Sequence, residues 1–260
     1  MRTCQILATG IFLPERVVDS SEAATRLGVT REWIVEHSGV ERRHFVTTET
    51  QSFMGAQALK NALGPSSIDL EELDLIICAS GGREQSIPCT AAFIQHQLGE
   101  RASGIACFDV DSTCLSFLVA MDVASAMLAT GMHRKIAIVS TEAGTRGLNW
   151  EHKESASLIG DGAAAVILGQ SANPQQGVVA SRLKTYSEGR DLACIPGGGT
   201  KLIPLVDTMD VKSVQFHMDG KALFKLAALK MENFYEDLMR DAQTDIGRIA
   251  CVVPHQASKL

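Results

Sequence analysis

Two residues of this sequence stand where chain geometry makes side chains reactive, Cys114 and His255. Cys114 follows a short apolar run, Ile105 to Val110, that ends in Asp111-Ser112-Thr113. It opens a stretch, Cys114 to Thr130, that is apolar or small nearly all round until Gly131. Read as a strand and then a helix, this pattern puts the thiol in a first helical turn, with Ser112 or Thr113 as cap. There, unpaired backbone N–H groups and the positive end of the helix dipole stabilise a thiolate, the form that attacks carbonyl carbon. His255 follows a second apolar run, Ile249 to Val253, in Pro254-His255-Gln256-Ala257-Ser258. Sites collect at the C-terminal ends of parallel strands, so His255 is expected to meet Cys114 as a donor to a substrate oxygen or as a base.

The remaining cysteines and histidines have blander readings. Cys4, Cys78, Cys107 and Cys251 lie in or beside apolar runs and are expected in the core, while Cys89 and Cys194 carry no assignment. Seven cysteines, with no CxxC pair and no ligand spacing with histidine, argue against a disulfide framework and against a metal site. On their own surroundings His37, His44, His96, His133, His152 and His217 read as solvated or satisfied. Gly160-Asp161-Gly162 reads as a tight turn with glycine supplying positive φ, and Gly197-Gly198-Gly199 lacks the features of a phosphate cradle.

The elements that must position the two reactive residues can be read in order. Strands are expected at Gln5–Leu13, Leu75–Ala79, Ile105–Val110, Lys135–Ser140 and Ala163–Leu168, and helices at 21–27, 31–37, 51–63, about 90–98 and 114–130. Alternation of strand and helix implies a largely parallel sheet covered on both faces. After the linker 171–176 a second series begins, with a strand at 178–183, a helix at 220–239, an acidic link at 241–245 and the run 249–253. It repeats the order seen at 51–63, 69–74 and 75–79. Two halves of one plan, 1–170 and 177–260, are thus expected, the second apparently truncated after its copy of the 75–79 strand.

Composition narrows the function classes. A net charge of −6 over 260 residues gives no electrostatic footprint for nucleic acid. The N-terminal apolar run is broken by Thr9, Gly10 and Pro14, and the longest apolar stretch is too short to span a bilayer, so no membrane association and a cytoplasmic location are expected.

Four separate, correctly ordered motifs carry a resemblance. Ser112-Thr113-Cys114 at the helix head, Gly160-Asp161-Gly162-Ala163-Ala164, Glu32-Trp33-Ile34-Val35 with Gly39-Val40-Glu41-Arg42-Arg43-His44, and Val253-Pro254-His255-Gln256-Ala257 resemble β-ketoacyl-acyl carrier protein synthase III of the thiolase superfamily. The resemblance implies an α/β fold of the thiolase-like, five-layered αβαβα duplicated kind and a homodimer. It further implies loading of an acyl group from acyl-coenzyme A onto Cys114. Decarboxylative Claisen condensation with a malonyl thioester on acyl carrier protein would then give a 3-oxoacyl product of fatty-acid or related biosynthesis. Acyl-coenzyme A enters as substrate, and no resident cofactor is implied.

In that family a Cys-His-Asn set does the chemistry, so His255 would stabilise the enolate oxygen. The asparagine, downstream of the histidine, has no counterpart here. Trp33 matches a tryptophan that stacks on coenzyme A, while His37 and Lys153 stand at two positions that are often arginine. Ile87 falls where a partner-subunit residue lines the acyl pocket, and Lys225, four residues from Lys221 on one helix face, matches a lysine implicated in docking the carrier protein. Ser258 replaces a frequent asparagine, a change also found in relatives that join two acyl-coenzyme A thioesters head to head. Three classes remain open: a condensing acyltransferase of either kind, a Cys-His acyl transferase or thioesterase that makes no carbon–carbon bond, and a non-catalytic partner subunit. Malonyl-dependent release of carbon dioxide and acylation of Cys114 separate them.

Overall fold

The computed structural model describes residues 1–203 and 210–256, residue 232 by its backbone alone. Five strands of five residues or more are found there: β1 (Gln5–Phe12), β2 (Leu75–Ala79), β3 (Ala106–Val110), β4 (Lys135–Glu142) and β5 (Gly162–Gly169). They form one sheet in the order β1-β5-β4-β2-β3. The helices are α1 (Ser20–Leu27), α2 (Arg31–Ser38), α3 (Gln51–Leu63), α4 (Thr90–Gln97), α5 (Ser116–Ala129), α6 (Lys153–Ala156) and α7 (Gly220–Asp241).

The sheet is mixed rather than largely parallel. Ile76 on β2 pairs in parallel with Cys107 on β3 and with Ala137 on β4, whereas β5 runs antiparallel to both β1 and β4. The reason lies in the connections. A parallel neighbour needs a long crossover, usually a helix, and α4 and α5 supply it on the ways from β2 to β3 and from β3 to β4. Between β4 and β5 the only α-helix is the four-residue α6, and there the pairing is antiparallel.

The chain divides into two compact units. The first comprises Met1–Val17, His44–Gly144 and Gly160–Val179, and the second Val18–Arg43, Thr145–Ile159 and the chain from Ala180 on. In the first, alternate residues of each strand serve opposite faces. Ile76, Val139 and Ile167 pack under Met54 and Leu59 of α3 and Ile94 of α4, while Leu75, Ile77, Ile136, Ile138 and Leu168 pack with Ala120, Ala124 and Leu128 of α5. Burial on both faces explains why Leu75–Ala79 is apolar throughout, and each fully buried Ile or Leu contributes roughly 1.5–3 kcal/mol. α3 lies tightly on β1: a Cβ at Gly10 would stand 2.3 Å from Ala58 O and Ala62 N, so only glycine fits.

α5 departs from expectation. Its fully buried residues form one stripe, Ser116, Ala120, Ala124, Ser125 and Leu128, and Leu118 on another face is 57 % exposed. The helix begins at Ser116 rather than at Cys114, and a single 3-10 turn, Thr113–Leu115, precedes it. Neither expected residue caps it: no side chain caps the start of α5, and the Thr113 hydroxyl donates to Ser112 O at 2.8 Å instead.

In the second unit the caps agree with the chemistry of their residues. The Asp19 carboxylate accepts from the Ser21 and Glu22 N–H groups at 2.8 Å, Thr30 Oγ1 from Trp33 N–H at 3.1 Å, and Asp219 from Ala222 N–H at 3.0 Å. Gly28 and Gly39 close α1 and α2 at φ +64° and +73°. Two expected strands fail to form as read. Only Gly177–Val178 pairs, with Arg2–Thr3, and Arg182 instead bonds Asp237 and Asp241 of α7. Residues 251–256 carry no regular structure, with Val252 and Val253 61 % and 87 % exposed. A strand exists only against a neighbour that completes its ladder, and none among the described residues lies along this run. Cys251, expected in the core, is therefore exposed.

Candidate active site

Cys114 sits exposed at the middle of the 3-10 turn that follows β3. Thr113, just before it, has φ +50°, a left-handed conformation that a β-branched residue adopts only at a cost. The turn is fastened from beneath by Ser116, which is 2 % exposed. Ser116 Oγ accepts from Ser112 N–H at 2.9 Å and donates to Thr113 O at 2.7 Å. Thr113 N–H donates to Asp111 Oδ1 at 3.1 Å, and Leu115 N–H donates to Ser112 O at 3.0 Å.

A second loop, following β2, lies against this turn. A Cβ at Gly81 would stand 3.3 Å from Thr113 Cα. The Gly81 and Gly82 N–H groups donate to the two oxygens of Glu142, at 2.7 and 3.3 Å. Burial raises the Glu142 carboxyl above its ordinary range, the two N–H bonds act against that, and the Asp111 charge adds to it. The far end of the same loop is held by Asp109, whose carboxylate accepts from Thr90 and Ala91 N–H at 2.8 Å at the start of α4.

The other thiols of the first unit are of a different kind. Burial pushes Cys78 up to about 12 and raises Cys107 as well, so both remain protonated near neutrality. Cys4 is buried, and Cys89 is half-buried against the core.

Three predicted residues of the second unit do come together. The Trp33 and His37 rings stack with centroids 4.3 Å apart, His37 Nδ1 lies 2.8 Å from Trp33 O, and Lys153 Nζ is 5.5 Å from the Trp33 ring centre. One turn of α2 accounts for the first pair, since residues i and i+4 share a face. Sequence reading missed a neighbour of the same type, Arg26 stacked over Trp150 at 3.6 Å. Lys221 and Lys225 are exposed on α7 and, among the described residues, form no ion pair, unlike Lys230, which pairs with Glu188 at 3.1 Å. Ile87 is 83 % exposed in the loop between β2 and α4. His255 is exposed in the irregular segment 251–256, not at the end of a strand, and Ser258 lies outside the described residues. Cys114 belongs to the first unit and His255 to the second.

Gly160-Asp161-Gly162 also differs from its reading, since neither glycine is at positive φ. Its Gly162 instead lies close to Leu13, and its Asp161 supplies a buried carboxylate. A Cβ at Gly162 would stand 3.0 Å from Leu13, and Asp161 Oδ2 accepts from Val46 N–H at 2.7 Å. Among the described residues no group of three His, Cys, Asp or Glu is arranged to hold a metal ion, and no helix is long and apolar enough to cross a membrane.

Comparison with known proteins decides the family. A profile for 3-oxoacyl-acyl-carrier-protein synthase III matches residues 108–187, the segment that carries Cys114. The β-ketoacyl-acyl-carrier-protein synthase III of Clostridium acetobutylicum is 31 % identical over 259 residues, covering 99 % of this chain and 78 % of that protein. The chain belongs to the synthase III family. The Bordetella petrii synthase III is 34 % identical over 260 residues, covering 97 % of the chain and 76 % of its relative. The crystal structure of the Aquifex aeolicus synthase III superposes with a TM-score of 0.86 at 28 % identity, covering 98 % of this chain and 77 % of that one. The thiolase-like α/β fold class expected from sequence is therefore the fold of this synthase III chain, which spans about three quarters of its relatives' length.

Proposed function

We propose that the chain is a condensing acyltransferase that loads an acyl group from acyl-coenzyme A onto Cys114. It then joins that group to a malonyl thioester on acyl carrier protein, giving a 3-oxoacyl thioester. The observation that carries this is an exposed thiol on a strained turn, directly after β3, in a chain of the synthase III family. In the first step the Cys114 thiolate attacks the thioester carbonyl, a carbon–sulfur bond forms, and the coenzyme A thiolate leaves and takes up a proton. In the second, loss of carbon dioxide from the malonyl group leaves its electron pair as an enolate. The enolate carbon attacks the acyl carbonyl and expels Cys114 as thiolate.

His255 is assigned to stabilise the enolate oxygen, because charge develops there only in the second step. Trp33, His37 and Lys153 form the proposed coenzyme A contact, supported by their clustering. Ile87 is proposed to line the acyl pocket of a partner subunit in a homodimer, Ser258 to lie beside the condensing centre, and Lys221 with Lys225 to meet the acidic carrier protein. Residues 1–170 and 177–260 are read as the two thiolase-like halves. The enzyme is placed in the cytoplasm, with acyl-coenzyme A as substrate and no resident cofactor.

The test is acylation followed by peptide mass mapping, then addition of the malonyl thioester with measurement of carbon dioxide. The adduct is expected on Cys114 and the release to depend on it. Acylation without malonyl-dependent carbon dioxide would point instead to a head-to-head condensing enzyme, if two acyl groups are joined, or to a non-condensing acyl transferase, if they are not, and an unmodified Cys114 would refute the assignment.

A further inference from the structure

Glu142 has no part in the chemistry assigned above, yet its carboxylate holds the Gly81 and Gly82 backbone that lies beside the Thr113 turn. It lies at the end of β4, is half-buried, and spends one oxygen on each of two successive N–H groups, Gly81 at 2.7 Å and Gly82 at 3.3 Å. Both glycines leave room for this close approach. A Cβ at Gly82 would stand 3.2 Å from the Glu142 carboxylate itself and 3.1 Å from Gln51 Nε2, and one at Gly81 would stand 3.3 Å from Thr113 Cα and 3.5 Å from Thr113 C. Thr113, the neighbour of Gly81, is the residue held at φ +50° immediately before Cys114. A strained backbone persists only when its surroundings over-determine it. Ser116 fixes the turn from the helix side, and Gly81 lies against it from the other.

We propose that Glu142 is a positioning residue for Cys114: by holding the Gly81 and Gly82 N–H groups it seats the 81–82 backbone against the Thr113 turn and so keeps the thiol in its attacking position. The proposal rests on the reading of Cys114 as the acyl acceptor. It involves no contact between Glu142 and the substrate. A glutamine would keep the length of the side chain but offer one acceptor oxygen where two donors arrive, turning an N–H of its own toward the second.

The experiment is pre-steady-state acylation of the whole protein by an acyl-coenzyme A, comparing wild type with Glu142→Gln, Glu142→Asp and Gly81→Ala. Alkylation of buried Cys78 is followed in parallel. Loss of positioning lowers the maximal acylation rate by about tenfold or more, since small displacements of a reacting group cost that much, while leaving the half-saturating acyl-coenzyme A concentration within about twofold. Cys78 stays unlabelled, because global unfolding and not a shift of one turn is what exposes it. Glu142→Asp, which keeps two acceptor oxygens, recovers part of the rate. Gly81→Ala, which leaves Glu142 intact and presses on Thr113, reproduces the loss. If Glu142→Gln labels at Cys78 and is therefore unfolded, Gly81→Ala and Glu142→Asp decide by the same criteria. Wild-type rates in Glu142→Gln, or a loss seen only as weaker saturation, would overturn the positioning role. No acylation of Cys114 in the wild type would instead overturn the functional reading on which it rests.

Discussion

Removing the Ser116 hydroxyl tests whether the turn that carries Cys114 is fastened as the structure indicates. In Ser116→Ala the Ser112 N–H and the Thr113 carbonyl each lose the partner found at 2.9 and 2.7 Å, at a position that is 2 % exposed. A net hydrogen bond contributes about 1 kcal/mol, so the pair is worth about 2 kcal/mol to the closed turn. At about 1.4 kcal/mol per factor of ten, the open fraction of the turn should rise roughly thirtyfold. Hydrogen exchange followed by mass spectrometry, on a peptide spanning 111–116, reads this directly as faster exchange of the Ser112 amide. Peptides from α3 serve as the control, because Met54 and Leu59 pack on the face of the sheet opposite α5. Exchange of the 111–116 peptide within about threefold of wild type would show that the turn is held by other groups, and the account of Thr113 strain would fail with it.

Further outcomes are expected elsewhere. His255→Ala should leave acylation of Cys114 within a few-fold while malonyl-dependent carbon dioxide release falls about a hundredfold, and equal loss in both steps would contradict its assignment to the enolate. Trp33→Ala removes a stacking surface worth about 1 kcal/mol, so half-saturation by acyl-coenzyme A should need severalfold more substrate with little change in maximal rate. Charge reversal of Lys221 and Lys225 should slow only the carrier-protein step, and by less at high salt; the same slowing with malonyl-coenzyme A would argue against docking. Alkaline pH should unfold the protein partly through Cys78. Its thiol titrates near 9 when unfolded and is pushed up to about 12 when folded, so across that window the unfolded chain releases a proton that the native state retains. Stability then falls by roughly 1.4 kcal/mol per pH unit from this one group. Urea midpoints between pH 8 and 11 should show a shallower decline in Cys78→Ala, and identical slopes would refute the assignment.

The sequence determined a good deal alone. The bounds of α3, Gln51–Leu63, are those expected from the apolar period, and the closures of α1 and α2 at Gly28 and Gly39 follow from local backbone chemistry. The motifs around Trp33, Cys114, Asp161 and His255 pointed together to the family. What a residue does within three or four neighbours of itself is written in its type. Strand direction is not, and β5 turned antiparallel because no crossover helix precedes it. Nor is the existence of a strand guaranteed by an apolar run, as Val252 and Val253 show, since backbone ladders are completed by partners distant in sequence. The Cys114 turn belongs to the same class. Its 3-10 geometry, its strained Thr113 and its support by Ser116, Gly81 and Glu142 depend on β2, β3 and β4 ending side by side. Only packing in three dimensions brings residues 81, 113 and 142 within hydrogen-bond or van der Waals range, and those forces act over a few ångströms whatever the separation along the chain.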